Sequence, residues 1–269
     1  MKMRKCKAIA VIAAMVLVAG AVTAADVIGV LVLKNNKRIE GTITWNSRRK
    51  EYTVKKIKSK VSLSMRQDQV ARLIIPKPQK LTSVEAALRK GASPTAAIPV
   101  LNSIITDYFM LTWDKTATRL LAEAYIQNNQ AKEAVKACER LIGDNPEAAY
   151  LGEMAPSYWA ALLKAERPAK LSGLIEKAIK GGDRITSAHA LLMRGDMLRK
   201  ESDSTTNARK ALRDGYLRVV TLYSREKSVQ PEALYKAAKC FDKLGQTSRA
   251  DQMRTTLKDE YGSSSWALK

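Results

Sequence analysis

A chain of 269 residues, 46% apolar and 27% charged, can fill one large domain or two smaller ones and is too apolar to be disordered. Lysine and arginine number 47 against 26 acidic residues, and the net charge of +21 attracts polyanions, whether nucleic acid, anionic lipid headgroups or acidic envelope polymers. A single histidine and three cysteines work against a metal centre, because a zinc site needs three or four clustered ligands.

Met1 to Lys7 carries four cations and no acid, and Ala8 to Val22 is a run of 15 mostly apolar residues. Val22-Thr23-Ala24-Ala25 then supplies small residues for cleavage. This is the three-part pattern of a secretory signal peptide over residues 1–25, cut after Ala24 or Ala25. The alternative is an uncleaved anchor, but the run is shorter than the ~20 residues a spanning helix needs. The mature chain, at +17, is expected in the periplasm or cell envelope. Cys138 and Cys240 fall on apolar helix faces about three repeats apart, so two buried thiols are expected rather than a disulfide.

From Val27 to Pro76 hydrophobicity alternates with a period of two, the pattern of half-buried strands. Gly29 to Leu33, Ile39 to Trp45, Tyr52 to Ile57, Val61 to Met65 and Val70 to Ile75 read as five strands, with one helical turn at Arg66 to Gln69. Five short strands with a helical turn before the last resemble an SH3-like or Sm-like small β-barrel. Asp26 to Lys80, the β module (residues 26–76) with the linker after it, holds 14 basic residues against four acidic ones, more than half of the mature excess. Arg48, Arg49, Lys50, Lys55, Lys56, Lys58 and Lys60 form a candidate polyanion-binding patch. The same charges could instead keep a solvated sheet edge from aggregating. Trp45 and Tyr52 are the aromatics here that could stack on bases, and both are expected on the buried face, which disfavours nucleic acid. Pro76 and Pro78 make residues 77–80 a short stiff linker.

Beyond the linker the period becomes helical. In Thr118 to Pro146, Leu121, Ala122 and Tyr125 form one apolar face, Asn128-Asn129-Gln130 breaks it, and Ala134, Cys138 and Leu141 form a second that ends before Pro146. Leu234 to Gly262 repeats the scheme through Ala238, Phe241, Gly245, Ala250 and Leu257. Three looser units begin at Val84, Tyr158 and Ser187, and the anchors Ala97, Ala134, Leu171, Leu212 and Ala250 are spaced by 37, 37, 41 and 38 residues. Small and large apolar residues at these positions resemble tetratricopeptide repeats, and the ending from Asp259 to Ala267 looks like repeat boundaries of exported members. The resemblance implies about five helical hairpins over residues 81–269, stacked as a superhelix with a concave groove. The fold expected is thus α+β and multidomain, a small five-stranded barrel followed by an all-α superhelix.

In that family the first helix of each unit lines the groove. Carried over, this designates Arg119, Glu123 and Gln127 in the second unit, Asp196 and Arg199 in the fourth, and Lys239, Asp242 and Lys243 in the fifth. Such mixed charges suit a polar peptide or an extended segment of a protein partner; they could equally be ordinary exposed helix residues. His189 is read as a helix residue at a packing interface. No phosphate-binding glycine loop or nucleophile-elbow motif occurs. The expectation is a non-catalytic exported scaffold without cofactor, metal or small-molecule substrate, binding a protein through the groove and an anionic envelope surface through the β module. A polyanion binder acting through the β module and an envelope hydrolase with a cryptic carboxylate pair are the alternatives.

Overall fold

The computed structural model describes residues 27–57 and 61–269. The segment read as an export signal, residues 1–25, and Lys58 and Lys60 of the basic patch lie outside the described residues.

Five antiparallel strands form one sheet: β1 (Val27–Leu33), β2 (Arg38–Asn46), β3 (Glu51–Lys55), β4 (Ser62–Arg66) and β5 (Val70–Ile74), in the order β4-β3-β2-β1-β5. A single 3-10 turn at Gln67–Gln69 joins the last two strands, where a helical turn is expected. Alternation places Val27, Leu31, Ile39, Ile43, Tyr52 and Val54 on one buried face. The register pairs them across strands, Leu31 with Ile39 and Ile43 with Val54. Gly29 and Gly41 face each other in β1 and β2. A Cβ on Gly41 would stand 2.2 Å from the Lys55 carbonyl oxygen, so the strands bend past a point only glycine fits.

The sheet is not the closed barrel the strand pattern predicts, because β4 and β5 remain its two edges. Closure would bury the apolar face, and here helices bury it instead. Leu31, Ile43, Tyr52 and Val54 share one hydrophobic core with Met110, Leu111, Cys138 and Leu141 from the helical part.

After Pro76 and Pro78 the helices run as consecutive hairpins. The pairs are α1 (Gln79–Arg89) with α2 (Pro94–Asp107), α3 (Trp113–Gln127) with α4 (Ala131–Asp144), and α5 (Ala155–Lys164) with α6 (Pro168–Gly181). The fourth pairs α7 (Arg184–Glu201) with a rod made of α8 (Thr205–Ala211), a π-helical turn at Leu212–Tyr216 and α9 (Leu217–Leu222). The fifth joins α10 (Gln230–Lys243) to α11 (Thr247–Tyr261). Helix 1 therefore starts at Gln79, inside the segment read as linker.

Four hairpins reverse through a left-handed residue, Gly91, Asn129, Glu166 and Gly245, with φ of 86°, 59°, 57° and 69°. This recurrence is the repeat expressed in backbone geometry, since one left-handed residue ends a helix and turns the chain back. The fourth hairpin departs from it, and its second helix opens at Ser204, whose hydroxyl accepts from the Asn207 amide at 3.1 Å. Gly195 and Gly215 let α7 and the π turn touch backbone to backbone; a Cβ on Gly195 would meet the Tyr216 ring at 2.4 Å. Cys138 and Cys240 are both buried free thiols. Among the described residues no helix is long and apolar enough to cross a membrane.

Candidate functional site: the concave groove and the docked sheet

The first helices of successive hairpins line one side of the stack. Between them lies a cleft of about 320 Å³ walled by Glu123, Ile126 and Gln127 of α3, Pro156, Ser157 and Ala160 of α5, His189, Leu192, Met193 and Asp196 of α7, and Glu232 of α10. On its α1 side the cleft continues into a larger depression of about 650 Å³ that shares Glu123 and Gln127 and adds Glu85, Arg89 and Arg119.

Polar groups of the groove are tied across repeats. Arg119 donates to Glu123 at 3.0 Å and lies 3.6 Å from Glu153, while the Ser157 hydroxyl donates to Glu123 at 2.9 Å. Thr116 donates to Glu153 at 2.8 Å. On α10, Lys236 bridges Asp196 at 2.6 Å and Glu232 at 2.5 Å, and Tyr216 donates to Asp196 at 2.9 Å. Burial pulls the Lys236 ammonium down, but its two carboxylate partners outweigh that and hold it above the ordinary lysine value. His189 is half-buried, and burial lowers its pKa more than Glu232 and Asp183 raise it, so the imidazole is neutral at pH 7. The Lys236 ammonium also lies 5.7 Å from the Trp266 ring, which is 5.3 Å from that of Tyr235.

Of the residues designated by sequence, Glu123, Gln127 and Asp196 come together in the cleft, with Arg119 beside them. Arg199 and Lys243 instead converge on Asp203, Lys243 at 2.8 Å, and Asp242 pairs with Arg254. Lys239 is exposed, 5.3 Å from the Tyr235 ring. Sequence reasoning missed Ser157, Leu192, Met193 and Glu232, and His189, read as a helix residue at a packing interface, is half-buried on α7 in the cleft wall. Helical spacing holds the signal: His189, Leu192 and Asp196 recur at three and seven residues, and Glu232 stands seven before Lys239.

The sheet meets the stack at the α2–α3 junction and at the end of α4. Tyr52, buried, donates to the Met110 carbonyl at 3.1 Å, and the Met110 amide donates to Asp114 at 2.7 Å. The Trp113 indole donates to the Ile75 carbonyl at 2.9 Å. Asp144 at the end of α4 accepts from Ser47 at 2.6 Å, from Trp45 at 3.4 Å and from Lys50, which also donates to the Gly143 carbonyl at 3.3 Å. Lys50 is thus engaged in docking. Arg48, Arg49, Lys55 and Lys56 are exposed, with Arg49 3.6 Å from Glu51. Among the described residues no group of three or more His, Cys, Asp or Glu is placed to hold a metal ion.

The tetratricopeptide repeat family model matches residues 120–148 and 232–264. These stretches fall on the second and fifth hairpins, and they support a tetratricopeptide repeat protein. Repeats of this type serve protein–protein interaction and scaffolding, and the family is generally non-catalytic. No curated protein and no solved structure matches the chain.

Proposed function

We propose that this protein is an exported, non-catalytic scaffold that holds an extended segment of a partner protein in its concave groove. The supporting observation is the groove itself: four first helices contribute side chains to one continuous depression, and its Glu123 and Glu232 carboxylates remain partly exposed. The export signal read at residues 1–25 sets the scene in the cell envelope, where the exposed Arg48, Arg49, Lys55 and Lys56 would meet anionic polymer or lipid. Residues 26–76 then act as a module packed against the helices, and residues 81–269 as a holder.

The test is affinity capture from envelope extract with the wild type and with a variant combining Arg119→Ala, Glu123→Ala and Lys239→Ala. A specific partner retained by the wild type and lost by the variant supports the groove reading. Equal capture by both, together with binding to a heparin column that collapses between low and moderate salt, would instead make the β module the functional part.

A further inference from the structure

The cleft between α3, α5, α7 and α10 has a charge opposite to that of the whole molecule. Its walls carry Glu123, Asp196 and Glu232 and no lysine or arginine. Adding their ion-pair partners, these three carboxylates face two cations, Arg119 and Lys236, and the cleft stays net acidic. His189 adds no charge at neutral pH. Elsewhere the chain is strongly basic, +21 overall. Between the carboxylates the wall is apolar, formed by Ile126, Pro156, Ala160, Leu192 and Met193.

We infer that this cleft takes an extended peptide in which basic and apolar side chains alternate, with arginine or lysine side chains seated on Glu123 and on Glu232 and their apolar neighbours on Leu192 and Met193. This rests on the groove reading above and names the chemistry of its occupant. Both carboxylates retain capacity: the Glu123 side chain is 40% exposed and that of Glu232 is 29% exposed. Each already has a cationic partner on one side, and a carboxylate can accept from a second donor on its other oxygen. An acidic peptide would be drawn to the basic exterior of the protein and repelled here, so the cleft discriminates by sign of charge as well as by shape.

Fluorescence anisotropy with two labelled peptides tests this: Ser-Ala-Arg-Leu-Arg-Ala-Arg-Leu-Ser, and the same peptide with glutamate for every arginine. At about 150 mM salt, where long-range attraction to the exterior is largely screened, the basic peptide is expected to bind the purified protein at least tenfold more tightly. The double variant Glu123→Gln and Glu232→Gln should weaken it about fivefold to tenfold, with an unchanged thermal unfolding midpoint. An acidic peptide that binds as well or better, or an unaffected double variant, overturns the inference. If the acidic peptide also photo-crosslinks to α3 or α7, the groove reading survives while the inference falls. If neither peptide binds, the inference fails and the groove reading is judged by its own capture test.

Discussion

The helical stack presents two surfaces, and it treats polar groups differently on each. Where the sheet docks, Asp114 is fully buried and accepts the amides of Met110 and Lys115 at 2.7 and 2.9 Å. In the groove, Glu123 and Glu153 are 40% and 46% exposed around Arg119, and Glu232 is 29% exposed beside Lys236. A sealed polar interface orders two parts of one chain, because leaving any member unpaired there is costly. An open polar face keeps bonding capacity for something outside the chain. The difference separates the surface that holds the protein together from the surface proposed to hold a partner.

Three changes should break or sharpen that contrast. The largest effect belongs to Tyr52→Ala, which deletes a buried ring and its bond to the Met110 carbonyl at the junction of sheet and helices. Such truncations cost about 3–5 kcal/mol, and urea denaturation should show a lower midpoint, with peptide binding in the groove retained under native conditions.

Next comes pH. Burial pushes the Asp114 carboxyl up to about 6 from its ordinary 3.8, against the lowering influence of the Met110 and Lys115 amides and the Lys115 charge. A carboxyl raised on folding favours the native state while protonated. Its contribution is complete below about pH 4, fades as the pH rises to about 6, and amounts to about 3 kcal/mol across that window. Asp114→Asn should flatten the dependence, read from denaturation midpoints between pH 4 and 7. Asp144 behaves in the opposite sense: burial acts to raise it, but hydrogen bonds from Lys50, Ser47 and Trp45 prevail and hold it below its usual value. Its contribution is present above the ordinary carboxylate range and is lost as the pH falls. One interface thus contains two carboxyls that titrate against each other.

The smallest effect is expected from Lys50→Ala. The Lys50 side chain is 48% exposed, so its pair with Asp144 is screened by solvent and contributes less than about 1 kcal/mol. A loss well above that would show the hairpin tip, rather than Tyr52, to be the principal anchor of the sheet.

Much of this architecture can be read from residue order. Alternation through Ile39, Ile43, Tyr52 and Val54 announces strands, and Ala122 with Tyr125 against Ala134 with Cys138 announces a helical hairpin. These patterns are local, set by which face of one element must leave water. The groove is partly legible through the resemblance to tetratricopeptide repeats, whose first helices line a groove: it designates Glu123, Gln127 and Asp196, which come together in the cleft. Arg199, Asp242 and Lys243 are designated in the same way yet are drawn away by Asp203 and Arg254, partners that the period of the first helices does not reveal.

The amino-acid sequence by itself determined the elements, their pairing into hairpins and the basic character of the first module. Only the tertiary structure decided that the sheet stays open and lies against the stack, and that a net-acidic cleft sits inside a basic protein. The reason is distance along the chain. Tyr52 meets Met110 across 58 residues and Trp45 meets Asp144 across 99, and no local period encodes which apolar face covers which.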